Sequence, residues 1–174
     1  DRDWSSDVCS SDLWLFVVLL ISSLTSFVEK DQHAGGLQVG TKAPDIHLQP
    51  MDAGQSMQTL SGKRGHKVLL SFWASYDAAS RLNNANLSYA LSQVAPESVE
   101  LVSVSLDTYT SICEETIRVD QIAKRQSYIE LSGGESRVYK NYELEEGFSN
   151  YLLDENGVII AKNISAKDIP AYLN

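Results

Sequence analysis

From Lys67 to Trp73 the chain reads KVLLSFW, a short apolar run bounded by polar turns. An unbroken run of that length fits a fully buried central strand better than a helix. The period then changes. Leu82, Ala85, Leu87, Ala90, Leu91 and Val94 recur near helical spacing from Ala78 onward, and Pro96 stops the pattern. Val99 to Leu106 (VELVSVSL) reads as a second interior strand. Tyr109 to Val119 predicts a second helix, with Ile112, Thr116 and Val119 on one side. Tyr128 to Leu131 is extended, and the Gly133-Gly134 turn leads to a short helix ending near Tyr142. Tyr151-Leu152-Leu153 and Val158 to Ala161 flank Asp154-Glu155-Asn156-Gly157, a hairpin signal with Asn-Gly in the turn. Ser165 to Leu173 predicts a closing helix capped by Ser165, with Pro170 in its first turns. Strands alternating with helices, then a hairpin and a last helix, predict an α/β fold: a central mixed sheet with helices on both faces.

The N-terminal 37 residues carry a different pattern. Trp14 to Val28 (WLFVVLLISSLTSFV) is an apolar run of 15 residues that ends in Ser and Thr. A membrane-spanning helix takes about 20 such residues and the core of a secretion signal about 7–15. The run is therefore read as a signal peptide, with an uncleaved anchor as the alternative, and the expected location is the periplasm or cell envelope. Glu29 to Leu37 (EKDQHAGGL) is polar and glycine-paired, as a linker would be, so the domain is expected to span 38–174. Residues 1–13 repeat Ser-Ser-Asp without structural period and resemble translated sequencing-adapter sequence. The chain opens on Asp1 rather than Met, which fits that reading.

Charge narrows the partners. The formal net charge is −9, and the 14 Lys and Arg are spread thinly, so the clustered positive charge that nucleic acid requires is missing. A membrane enters only through the N-terminal segment. The two cysteines are Cys9, within the adapter-like segment, and Cys113. A lone Cys113 has no internal disulfide partner and reads as a small buried hydrophobe. His33, His47 and His66 are scattered without ligand spacing, so neither a metal nor a cofactor is expected.

Four local motifs, in order, carry a resemblance. Val39-Gly40-Thr41-Lys42-Ala43-Pro44-Asp45 resembles the opening of redoxin domains, where the proline feeds a first short strand, here Ile46-His47-Leu48. Leu60-Ser61-Gly62-Lys63 resembles the turn before their central strand, followed here by an inserted Arg64-Gly65-His66. Ser71 to Arg81 (SFWASYDAASR) resembles the Phe-Trp-Ala-Ser/Thr-Trp-Cys-x-x-Cys-Arg segment of thioredoxin-fold proteins, especially the TlpA/ResA-type envelope thiol-disulfide oxidoreductases. Glu146 to Asp154 (EGFSNYLLD) is similar to their Gly-x-Pro-Thr-x-Phe-Leu-Ile-Asp. The resemblance covers 39–174 and implies a thioredoxin-like fold.

It also implies a degenerate site. Asp77 and Ser80 stand where the family carries its two cysteines, Tyr76 replaces its solvent-facing Trp, and Phe148 holds the place of its cis-proline. Thiol-disulfide exchange needs a thiolate to attack and a second thiol to resolve. A carboxylate and a neutral hydroxyl do neither. Asp77 has another role available, as cap of the following helix. Catalytic residues are therefore none. Tyr76, Arg81 and Phe148 are candidate partner contacts at the groove, and Trp73 is read as core. Three readings stay open: a redox-inactive domain binding a protein or peptide, a divergent oxidoreductase using Cys113 as a lone thiol, and a purely structural domain.

Overall fold

The computed structural model describes residues 36–94 and 98–173. The adapter-like segment, the apolar run, most of the linker, Cys9, His33 and Pro96 lie outside these residues. No helix among the described residues is long and apolar enough to cross a membrane.

Seven strands form one mixed sheet in the order β2-β1-β5-β4-β3-β6-β7. They are β1 (His47–Pro50), β2 (Gln58–Thr59), β3 (Val68–Trp73), β4 (Glu100–Ser105), β5 (Ser127–Ile129), β6 (Asn150–Leu153) and β7 (Ile159–Lys162). Among the described residues three α-helices accompany them: α1 (Ala78–Ser92), α2 (Thr110–Val119) and α3 (Arg137–Asn141). β3, β4 and β5 run parallel through the crossovers α1 and α2, and β3 pairs antiparallel with β6. Every residue of β3 is buried, as its unbroken apolar run requires.

The two faces of β3 meet different layers. Leu69 packs with Leu87 and Leu91 of α1, and Trp73 with Cys113 and Ile117 of α2, so those helices share one face. Leu70 and Phe72 point to the other face, against Val138 of α3, Tyr142 and Leu144. There Phe72 and Tyr142 meet as tilted rings with centroids 4.7 Å apart, and Tyr142 and Tyr151 meet edge to face at 5.3 Å. Tyr142 donates its hydroxyl to Pro44 O at 2.6 Å, tying the opening segment to this cluster. Burial of each such side chain contributes about 1.5–3 kcal/mol. The edge of β7 is covered by the same opening segment, through Gly40 N–H to Ile159 O (2.8 Å) and Ile159 N–H to Thr41 O (2.9 Å).

Four local expectations are corrected. The inner side of α2 is Cys113, Thr116 and Ile117, whereas Ile112 and Val119 are 46% and 53% exposed. On α1 the buried residues are Ser80, Asn84, Leu87 and Leu91, and Leu82 is 63% exposed. The first strand starts one residue later than expected and pairs with a two-residue β2 that has no sequence period to announce it. The closing helix is only a 3-10 turn, Ile169–Tyr172. Pro170 lacks the N–H needed to continue a helix, and Ser165 donates its N–H and hydroxyl to Asp168 Oδ2 rather than capping.

Candidate functional site

The site is built at the end of β3, where the chain leaves the sheet and turns into α1. Leu106 N–H donates to Trp73 O (2.9 Å) and Asp77 N–H to Ala74 O (3.1 Å), so residues 74–77 form a tight turn above the sheet. Opposite it, Phe72 N–H donates to Ser149 O (3.1 Å). That bond brings the segment Gly147-Phe148-Ser149 alongside the turn. Gly147 sits at φ +130°, a conformation that side chains rarely adopt, and it swings Phe148 into place. The Gly147–Phe148 peptide bond is trans.

Asp77 is the N-cap of α1. Its Oδ1 accepts from Ser80 N–H at 2.7 Å, from an extended backbone. The hydroxyl and N–H of Ser80 hold the Asp77 carboxyl below the ordinary carboxylate range. Ser80 is itself buried, its hydroxyl donating to Asp77 O (3.2 Å) and receiving Ala74 N–H (3.4 Å). Asp77 and Ser80 are thus a helix cap and its internal partner. Asp77→Ala is expected to lose about 1 kcal/mol at pH 7. Because the folded carboxyl titrates below its unfolded value, that contribution is present above the ordinary range. It fades as pH falls through that range and below it. Urea titrations at both ends of that window check it, and equal stability of Asp77→Ala and the parent at pH 7 would rule the cap out.

Arg81, expected at the groove rim, is paired with Asp120. Its Nε and an Nη donate to the two oxygens of Asp120 at 2.6 and 2.7 Å, joining α1 to the C-cap of α2. The pair is partly exposed, so it contributes under about 1 kcal/mol.

Tyr76 and Phe148 do come together. Their ring centroids are 6.2 Å apart in an edge-to-face arrangement. Tyr76 is 72% exposed and Phe148 half-buried against the Tyr142 side of the core. Burial, Tyr139, Asp107 and Asp77 together raise the Tyr76 hydroxyl above its ordinary value. Trp73 plays no part in this surface: it is fully buried and donates Nε1–H to Ser103 Oγ at 2.9 Å.

Asp107 is the site residue that sequence reasoning missed. It is buried just beyond β4, yet Ser75 donates both its hydroxyl (2.6 Å) and its N–H (3.1 Å) to Asp107 Oδ1, and Ser105 donates its hydroxyl to Oδ2 (2.7 Å). This carboxylate pins the turn that carries Tyr76. The only available signal was a polar residue closing an apolar strand, which usually marks a turn.

Cys113 lies under the same loop, fully buried, where burial pushes its thiol up to about 11. A thiolate is the attacking species in exchange, so this environment opposes the reaction. Among the described residues Cys113 is the only cysteine, and no three His, Cys, Asp or Glu side chains converge as metal ligands would.

Solved structures place this geometry among known proteins. A thioredoxin-like protein from Parabacteroides distasonis is 33% identical over 79% of this chain and 96% of its own, with a TM-score of 0.69. The thioredoxin domain of a thiol-disulfide oxidoreductase from Bacteroides vulgatus is 19% identical, over 79% and 99%, with a TM-score of 0.67. A thiol-disulfide oxidoreductase from Bacteroides fragilis is 23% identical, over 76% and 97%, with a TM-score of 0.65. The last two are similar in fold alone. Neither the protein-family models nor the curated proteins give a match.

Proposed function

The chain belongs to the thioredoxin-like family, and from that membership we propose that it is a redox-inactive member, exported to the cell envelope, that binds a protein or peptide segment at the face where its relatives' active site would lie. One observation carries the reading. The two thiol positions hold Asp77 and Ser80, bonded to each other as a helix cap, while the aromatic pair beside them stays open to solvent. Exposed aromatic side chains beside a groove favour binding sites. Export rests on the apolar run Trp14–Val28.

The oxidoreductase alternative through Cys113 is opposed by its burial and raised thiol. The structural-only alternative is opposed by Tyr76, whose ring gains little stability from where it stands. An unfolded client without thiols, carbamidomethylated ribonuclease, tests the binding reading by titration into the isotope-labelled chain. Amide shifts are expected at Tyr76, Phe148 and Ser149, and affinity should fall about tenfold in the Tyr76→Ala/Phe148→Ala double variant. No shifts, or shifts confined to another face, would leave the domain structural.

A further inference from the structure

We infer that the segment taken up at the Tyr76–Phe148 pair is cationic, an extended peptide stretch bearing lysine or arginine. The inference rests on the binding reading above and adds the chemistry of the partner. The aromatic pair is the contact, and the charge around it selects the occupant.

On one side of the pair stands Asp77, immediately after Tyr76, with buried Asp107 beneath the turn. On the other, Glu145 and Glu146 precede Phe148 by three and two residues on the 3-10 turn Leu144–Glu146. Both are exposed, and so is Glu143, the residue before that turn. The field of the two aspartates reaches Tyr76, since both help to raise its hydroxyl.

Cations that could cancel this charge are few. Arg81, the only one in the Ser75–Arg81 loop, is taken up by both oxygens of Asp120. Between Glu130 and Phe148 five glutamates face two cations, Arg137 and Lys140. An incoming anionic segment would therefore meet an excess of like charge, whereas a cationic one meets opposite charge and two ring faces. Ring faces attract Lys and Arg directly, through the negative charge of the π system. The combination favours a positively charged partner over a neutral or acidic one.

The test uses three extended eight-residue peptides, identical except that two alternate positions are Lys, Gln or Glu. Each is titrated into the labelled chain at low salt, with the Tyr76 and Phe148 amides followed. The Lys peptide is expected to saturate these shifts at about fivefold lower concentration than the Gln peptide, and the Glu peptide more weakly still. That preference should collapse at ~0.5 M salt. It should also collapse in the Glu145→Lys/Glu146→Lys variant, whose substitutions are at exposed positions and leave the aromatic pair in place. Equal saturation by the Lys and Gln peptides, or tighter binding of the Glu peptide, overturns the inference while the binding reading stands. A Lys preference that survives both high salt and charge reversal overturns the electrostatic basis. If no peptide moves either amide, both the inference and the binding reading fail.

Discussion

Asp77→Cys/Ser80→Cys is expected to restore thiol chemistry to this face. The backbone is already arranged for it. Residue 77 caps a 15-residue helix, and the N–H of residue 80 lies 2.7 Å from the side chain at 77. Thiols at helix N-termini titrate between about 3.5 and 7.5 rather than near 8.5, because the exposed N–H groups favour the thiolate. The double variant should therefore close a disulfide on oxidation, its first thiol should titrate below 8, and insulin reduction should rise from background to measurable turnover. It should also lose about 1 kcal/mol of stability with the Asp77 cap. A double variant whose thiols both titrate near the ordinary value, or that never closes a disulfide, would show that more than two side chains separates this site from thiol chemistry.

The largest stability effect is expected at Asp107. Asp107→Ala removes the acceptor of two hydroxyls and an N–H, from Ser75 and Ser105, at a buried position. Hydrogen bonds to a charged group contribute about 1.5–3 kcal/mol each, partly offset here because a buried charge disappears with them. The net loss should be about 2–4 kcal/mol in urea denaturation. Asp107→Asn should lose less, since an amide oxygen still receives the Ser75 donors. Because the turn 74–77 then loses its anchor, the ring contact between Tyr76 and Phe148 should loosen as well. A loss below about 1 kcal/mol in the Ala variant would mean that the turn is held by its own backbone bonds alone.

What could be read from the sequence follows the range of the interactions. The β3 run, the α1 start and the Asp77 cap are local: an apolar run before a turn, then a short acidic side chain three residues from the N–H it accepts. The hairpin between β6 and β7 is equally local, marked by Asn156-Gly157. The Ser75–Asp107 and Arg81–Asp120 contacts join residues 32 and 39 positions apart, and no spacing rule reaches that far. Local pattern alone puts Arg81 near the groove, whereas Asp120 at the end of α2 binds it. The inner face of α2 was misread for a different reason. Periodicity groups Ile112 with Val119, but Cys113 and Ile117 are the residues that pack with Trp73, and buried Thr116 satisfies its own hydroxyl by donating to Ile112 O at 2.9 Å. The Tyr76–Phe148 contact was legible only by register against the family pattern. The distance and exposure that make it a surface needed the fold.

Insulin reduction by the unaltered chain, with dithiothreitol as reductant, tests the proposed redox inactivity most directly. The predicted rate is that of dithiothreitol alone, identical in the parent and in Cys113→Ser. Turnover above that background which disappears in Cys113→Ser would contradict the account, because the buried Cys113 thiol would then be carrying the exchange.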